Sequence, residues 1–234
     1  MLVIGHRGAA GVAPENTLES LRAGMMADAD ILEFDVRLTK DNIPVVIHDA
    51  TTLRTHKDRK VIAHHTLAEL REFQLSPYIP TLSEVLDEFY GHILLNIELK
   101  SRGSGQVVTG LLRDRYITQD SDWDAVLLSS FKGRELARVR KISRRVPLAL
   151  LHDQNPFLFI AYHRKLQFSA VGFHRLYINP LATEIAKRLE LFCYAYTVDR
   201  PYGALLLDRK GIDGIVTNLP RNILSDIDKQ KERS

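Results

Sequence analysis

The sequence predicts one α/β domain over residues 1–234, a TIM (β/α)8 barrel, and three observations lead to this prediction. Eight short apolar runs of the strand type alternate with helical segments or helix-length connections. Eight such units in about 230 residues are typical of a TIM barrel, whose active sites lie at the carboxyl ends of the strands. In this chain, charged side chains follow or end several of the runs.

The first predicted strand, residues 2–5, leads directly into His6 and Arg7. A helix follows it, and Asn16 is the expected N-cap. Glu19 lies three residues later, where it can complete a capping box.

The second predicted strand, residues 31–36, contains two carboxylates in an otherwise apolar run. Glu33 and Asp35 are two residues apart, so their side chains point to the same face of the strand. Burying a carboxylate is costly unless it is paired or binds a metal ion. This pair therefore indicates a functional site.

A β-hairpin arm is predicted to bring His48 to the same place. If Asp41 and Asn42 form a two-residue turn, Asp35 pairs with His48 on the returning strand. An antiparallel return is favoured because a parallel crossover needs about a dozen residues. Only a short insertion, residues 51–80, follows the arm.

The strand that carries the third acid comes after a boxed helix. Thr81 and Glu84 have the spacing of a capping box, and the run 93–100 ends in Glu98 and Lys100. The remaining strand candidates are residues 125–129, 147–151, 170–173, 192–198 and 214–217, with helices predicted at 133–141, 181–190 and 201–210. A doubly wound open sheet is the second choice, but the glycine-rich phosphate-binding fingerprint is missing.

Composition and charge argue against a nucleic-acid-binding protein and against a membrane-spanning one. The net charge of +3 is not concentrated in a basic run, so no nucleic-acid partner is expected. The one cysteine, Cys193, lies in an apolar run and is expected to be a small buried hydrophobe. No apolar run approaches the roughly 18 residues of a membrane span, and the first strand begins at Leu2. We expect a cytoplasmic protein without membrane insertion.

The clustered side chains suit phosphoryl chemistry. Three carboxylates, Glu33, Asp35 and Glu98, favour a hard divalent cation over zinc, which prefers a compact His/Cys set. Two histidines, His6 and His48, suit general acid and base catalysis. With Arg7 and Lys100 adding positive charge at the same rim, the expected substrate is an anion.

Several short motifs occur in a fixed order, and together they cover nearly the whole chain. They are His6-Arg7-Gly8, Pro14-Glu15-Asn16-Thr17, Glu33-Phe34-Asp35, His48-Asp49, Glu98-Leu99-Lys100, Ser129-Ser130-Phe131, Tyr196-Thr197-Val198 and residues 211–217. Each motif alone is unspecific. In this order they resemble the signature of the glycerophosphodiester phosphodiesterases, and of their compact bacterial-type members in particular.

The resemblance implies a TIM barrel that hydrolyses glycerophosphodiesters to sn-glycerol 3-phosphate and an alcohol. It implies His6 and His48 as the acid/base pair. It also implies one divalent cation, Mg²⁺ or Ca²⁺ with Mn²⁺ as a further candidate. The remaining implied roles are cation ligands for Glu33, Asp35 and Glu98, phosphate contacts for Arg7 and Lys100, and shaping of the site by Glu15 and Asn16.

The chain departs from the family pattern in three places. The insertion 51–80 is shorter than in many members, so we expect no substantial cap over the site. Asp199 stands where the family usually has Asn, and Asn218 stands where it usually has Asp. We expect these two exchanges to affect substrate preference or the order of the groups around the site.

Several alternatives stay open at this point. The nucleophile is either water or the substrate's neighbouring hydroxyl, which would give a cyclic phosphate first. A phospholipase D-like activity on lysophospholipids is the nearest rival, and the run 156–160 would then form an apolar lip instead of starting a core-packing helix. A noncatalytic barrel that binds a phosphate ligand is the third choice. The sequence does not predict the oligomeric state.

Overall fold

The computed structural model describes residues 1–152 and 154–231, with side chains through Ile227. The strands in these residues are β1 (Leu2–Gly5), β2 (Ile31–Leu38), β3 (Pro44–Val46), β4 (Leu94–Leu99), β5 (Val126–Ser130), β6 (Leu148–His152), β7 (Ala170–His174), β8 (Phe192–Tyr196) and β9 (Gly214–Thr217). The α-helices are α1 (Leu18–Met26), α2 (Leu53–His56), α3 (Leu67–Glu72), α4 (Leu82–Phe89), α5 (Ser104–Arg115), α6 (Gly133–Arg140), α7 (Leu158–Leu166), α8 (Pro180–Arg188), α9 (Pro201–Arg209) and α10 (Pro220–Lys231).

Eight parallel strands close into a barrel, which confirms the predicted fold. The order around the barrel is β1, β9, β8, β7, β6, β5, β4, β2, and β1 pairs with β2 to close the ring. β3 pairs antiparallel with the part of β2 that extends beyond the barrel. Within the described residues, no helix has both the length and the apolar character needed to cross a bilayer.

The two faces of β2 show how the sequence pattern positions the site. Leu32 and Phe34 pack in the large core between strands and helices. Ile31 points the other way, into the apolar cluster at the barrel interior. Because side chains alternate along a strand, Glu33 and Asp35 also face the interior, toward its carboxyl-terminal end. Residue parity therefore places both acids inside the barrel.

The register predicted for the hairpin arm is wrong by one residue. Val36 pairs with Val46 and Leu38 with Pro44, so five residues form the connection and not two. The Thr39 hydroxyl holds this larger turn by donating to Asp41 and by accepting from the Ile43 N–H. β3 ends before His48, so this histidine lies in the segment that follows the ladder and not opposite Asp35.

One of the two predicted capping boxes is also wrong. Thr17, and not Asn16, caps α1, and its hydroxyl accepts from the Ser20 N–H. The box formed by Thr81 and Glu84 at the start of α4 is confirmed. Asn16 is left free for another role because it sits one residue outside the cap, in the left-handed region at φ 59°.

The short insertion forms a compact unit beside the barrel and contains α2 and α3. Its apolar side chains make a separate small core with the hairpin arm, consisting of Val45, Ile47, Ile62, Leu70 and Ile79. A capping box of Thr66 and Glu69 begins α3. The segment is thus too short for a large cap, but it is ordered against the rim where the site lies.

Candidate active site

Three buried carboxylates meet at the carboxyl end of β2 and β4. Asp35 lies directly opposite Glu98 in the parallel ladder, and Glu33 lies one layer deeper, opposite Asn96. One oxygen from each of Glu33, Asp35 and Glu98 lies within 4.8 Å of the others. The predicted grouping of the three acids therefore follows from strand register alone.

Two cations lie against this acidic cluster. Lys100 Nζ is 2.6 Å from Glu98 Oε1 and 3.2 Å from Asp35 Oδ1. Arg7 Nε is 3.2 Å from Asp35 Oδ2, and the Arg7 backbone N–H donates to Glu33 Oε2 at 2.9 Å. Three acids thus face two fixed positive charges, which leaves one negative charge uncompensated when all three are ionised.

The acids differ in how readily they ionise. Burial opposes the ionised form of Asp35, but Lys100 and Arg7 outweigh it and hold its pKa at about 2. Burial, together with the charge of Asp35, raises the pKa of both Glu33 and Glu98 to about 8. Ionisation of all three acids is therefore unfavourable in the metal-free protein, and a bound divalent cation would make it favourable. The donor set, all carboxylate oxygens, fits a hard cation.

Asn16 anchors the central acid of the cluster. Its Nδ2 donates to Asp35 Oδ2 at 2.9 Å, and its Oδ1 accepts from the Asp35 N–H at 3.0 Å. The side chain is 3% exposed. Asn16 therefore belongs to the site and holds the Asp35 carboxylate in place, which the one-residue shift of the cap makes possible.

Replacing Asn16 tests this anchoring role. We expect Asn16→Ala to weaken divalent-cation affinity about 10- to 100-fold, the usual effect of removing a group that orients a ligand. Isothermal titration with Mg²⁺ or Mn²⁺ measures the change. Asn42→Ala is the matched control because Asn42 has the same left-handed backbone, φ 61°, in an exposed turn. Equal affinities in the two variants would contradict the role.

A chain of side-chain hydrogen bonds connects Arg7 with His48. His48 Nδ1 is 2.6 Å from Asp49 Oδ1, and Arg54 Nε donates to the other Asp49 oxygen at 2.6 Å. Arg54 also donates to both oxygens of Glu15, at 2.7 and 2.6 Å. Glu15 in turn accepts from Arg7 Nη1 at 2.7 Å. The insertion therefore contributes one residue, Arg54, that orients the neighbours of His48.

Arg54 escaped the sequence analysis because nothing in its surroundings marks it. It lies in a four-residue helix, α2, among polar and basic residues. Arg54 reaches the site because it lies five residues after Asp49 and because the insertion folds against the rim. Glu15, which the resemblance implied would help to shape the site, lies between Arg7 and Arg54 and accepts hydrogen bonds from both.

His6 comes directly after β1, and its Nδ1 lies 2.7 Å from Asn218 Oδ1. The two positions that depart from the family pattern meet here, because Asn218 also contacts Asp199. Burial and the charge of Arg7 lower the pKa of His6. Burial likewise lowers the pKa of His48, although the charge of Asp35 and the hydrogen bond to Asp49 act to raise it. Both imidazoles are thus favoured as neutral groups near pH 7.

A small cavity opens between His6 and the acids at the carboxyl end of the barrel. The polar side chains on its wall include Glu33, Asn96, Glu98 and Ser129, and Phe131 and Tyr196 supply aromatic surface. Phe131 is 38% exposed, and Lys100 Nζ lies 5.6 Å from the centre of its ring. His6 and two of the three acids, Glu33 and Glu98, therefore share one cavity wall.

Known proteins resemble this chain along nearly its full length. The model of the glycerophosphoryl diester phosphodiesterase family matches residues 6–222. A glycerophosphodiester phosphodiesterase of Caldanaerobacter subterraneus is 32% identical over 97% of this chain and 98% of its own length. An Oleispira antarctica phosphodiesterase, solved in complex with the product sn-glycerol-3-phosphate, has 27% identity and a TM-score of 0.84, with 97% of each chain covered. A Thermotoga maritima glycerophosphodiester phosphodiesterase has 25% identity and a TM-score of 0.82, covering 96% of this chain and 97% of its own.

Proposed function

Because the chain belongs to the glycerophosphoryl diester phosphodiesterase family, we propose that it hydrolyses glycerophosphodiesters to sn-glycerol 3-phosphate and an alcohol. One observation carries the proposal: two histidines, each with Nδ1 held by a side-chain oxygen, lie near enough to Asp35 of the buried three-carboxylate cluster for its charge to act on both rings. The product bound to the Oleispira antarctica relative supports the same product here. We also propose that residues 1–234 act as one catalytic domain.

The metal ion is the second part of the proposal. Glu33, Asp35 and Glu98 would hold one divalent cation, for which Mg²⁺, Ca²⁺ and Mn²⁺ are the candidates. The bound ion would withdraw charge from the nonbridging phosphate oxygens and position the phosphate. Arg7 and Lys100, already paired with the acids, would add positive charge on the same side of the substrate.

The histidines would move the protons. With Nδ1 committed to Asn218 in His6 and to Asp49 in His48, Nε2 is the working atom of each ring. One Nε2 would accept a proton from the nucleophile, which is either water or the substrate's neighbouring hydroxyl, and the other would donate a proton to the departing alkoxide oxygen. In the second case a cyclic phosphate forms, and water must then open it to give glycerol 3-phosphate. The two steps need one neutral and one protonated ring; because burial lowers the pKa of both histidines, the protonated ring is the less populated form near pH 7.

Cation binding should depend strongly on pH. With the pKa of Glu33 and Glu98 raised to about 8, both hold protons below that pH in the metal-free protein. A cation must displace these protons, so affinity should rise with pH by up to about tenfold per unit for each proton displaced. Titration calorimetry in buffers of different ionisation enthalpy measures the release. Affinity that stays constant from about pH 6 to pH 8, without proton release, would contradict the raised pKa values.

A comparison of two substrates tests the proposed reaction. We expect glycerol 3-phosphate release from glycerophosphocholine to exceed turnover of lysophosphatidylcholine. The run 156–160, which would form the acyl-binding lip of the alternative, leads into α7, where Phe159 is fully buried while Leu158 and Ile160 are 38% and 39% exposed. Faster turnover of lysophosphatidylcholine would favour the phospholipase D-like alternative, and tight binding without turnover of either would favour a binding protein.

A further inference from the structure

Asp199 and Asn218 form a hydrogen-bonded pair behind His6, and we infer that Asp199 is a positioning residue that fixes the tautomer of this histidine through Asn218. The inference rests on the proposed function, because the tautomer of His6 affects the reaction only if this ring transfers a proton in it. Asp199 itself does not contact the reacting atoms. It gives one shared role to the two departures from the family pattern.

Three hydrogen bonds fix the position of the Asp199 carboxylate. Its Oδ1 accepts from the Asn218 backbone N–H at 2.8 Å and from the Thr217 hydroxyl at 3.1 Å. Its Oδ2 accepts from Asn218 Nδ2 at 2.8 Å. All three donors belong to the end of β9 and the residue after it, so the carboxylate is tied to the strand next to β1.

The carboxylate decides which way the Asn218 amide points. If the amide were turned over, its oxygen would face Asp199 Oδ2 at hydrogen-bond distance, and two acceptors would oppose each other. Asn218 therefore presents Nδ2 to Asp199 and Oδ1 to His6. The usual ambiguity of an asparagine amide is removed here by the charge beside it.

The fixed amide then decides where the proton of His6 lies. An amide oxygen accepts only, so His6 Nδ1 must carry the hydrogen that fills the 2.7 Å contact. The neutral ring consequently has its lone pair on Nε2, the atom that the proposed reaction uses. Strand order makes this sequence of contacts possible, because β8, β9 and β1 are neighbours and the three residues follow or lie just beyond their ends.

A pair of substitutions tests the inference. Asp199→Asn removes the charge and allows both amide orientations, so we expect a mixture of His6 tautomers and a decrease in kcat of about 10- to 100-fold, as for other orienting partners, with KM little changed. The double variant Asp199→Asn/Asn218→Asp places the carboxylate directly on Nδ1. It should restore the Nδ1–H tautomer and return kcat to within about threefold of wild type, since coupled partners are not additive.

Two readouts are taken for each variant. Long-range ¹H–¹⁵N correlation spectra at pH 8 report which ring nitrogen of His6 is protonated, with His6→Gln identifying its signals. Steady-state kinetics with glycerophosphocholine and Mg²⁺ report kcat and KM. Asp208→Asn, an exposed change on α9, is the matched control and should behave as wild type.

The outcomes are distinct. Mixed tautomers in Asp199→Asn, reversed in the double variant, support the inference. An unchanged Nδ1–H signal in Asp199→Asn overturns it, and so does a kcat loss that the double variant fails to restore. If wild-type protein releases no glycerol 3-phosphate, the proposed function fails, while the spectra still decide whether Asp199 sets the tautomer.

Discussion

His6→Ala and His48→Ala should each lower kcat for glycerophosphocholine hydrolysis by roughly 10²- to 10⁴-fold, the usual contribution of a positioned acid or base. Each histidine is oriented by a hydrogen bond at Nδ1, to Asn218 in one case and to Asp49 in the other. Because the two rings act as one unit in the same reaction, the double variant should lose little more activity than either single variant.

His92→Ala is the control for this experiment, since His92 is exposed just after α4. It should keep wild-type kcat. Stopped assays that quantify glycerol 3-phosphate measure the four variants and the wild type, and thermal melts establish that each is folded. Full activity in either His6→Ala or His48→Ala would remove that residue from the acid/base pair.

Glu98→Gln should weaken divalent-cation affinity by on the order of 10²-fold or more. Removing a group that only orients a ligand costs about 10- to 100-fold, and Glu98 is itself a proposed ligand. Activity at limiting cation should decrease with it. The metal-free protein should melt at nearly the same temperature as wild type near pH 7. The reason is that burial raises the pKa of Glu98 to about 8, so an amide replaces a side chain that is already largely neutral.

The melting temperature separates ligand loss from misfolding in this variant. Wild type should gain stability when Mg²⁺ or Mn²⁺ is added, and Glu98→Gln should lose most of that gain. Glu72→Gln, an exposed change at the end of α3, should keep it. A Glu98→Gln protein with an unchanged cation titration would exclude Glu98 from the ligand set.

The part of the site that strand patterns determine could be predicted from the sequence. Glu33, Asp35 and Glu98 converge because residue parity points them into the barrel and the β2–β4 register aligns them. Their apolar neighbours already marked the runs as buried strands. Once the barrel is accepted, the ends of the strands meet, and no side-chain detail is needed to bring His6 to the same rim.

The part that depends on side-chain hydrogen bonds in loops could not be predicted. The Thr39 hydroxyl enlarges the hairpin turn and shifts the register of the arm by one residue. A one-residue shift of the α1 cap frees Asn16 to bind Asp35. Arg54 reaches Asp49 and Glu15 only because the insertion folds against the rim. Each outcome is decided by one or two hydrogen bonds, which leave no periodic signal in the sequence.

The most direct test of the proposed metal-dependent hydrolysis is ³¹P NMR of glycerophosphocholine incubated with chelator-treated, metal-free protein before and after addition of Mg²⁺, Ca²⁺ or Mn²⁺. We expect the diester signal to persist without metal and glycerol 3-phosphate to form once one of these cations binds the three carboxylates. Release that proceeds equally well without a cation would contradict the metal site. A diester signal that persists with every cation would contradict the proposed hydrolysis itself.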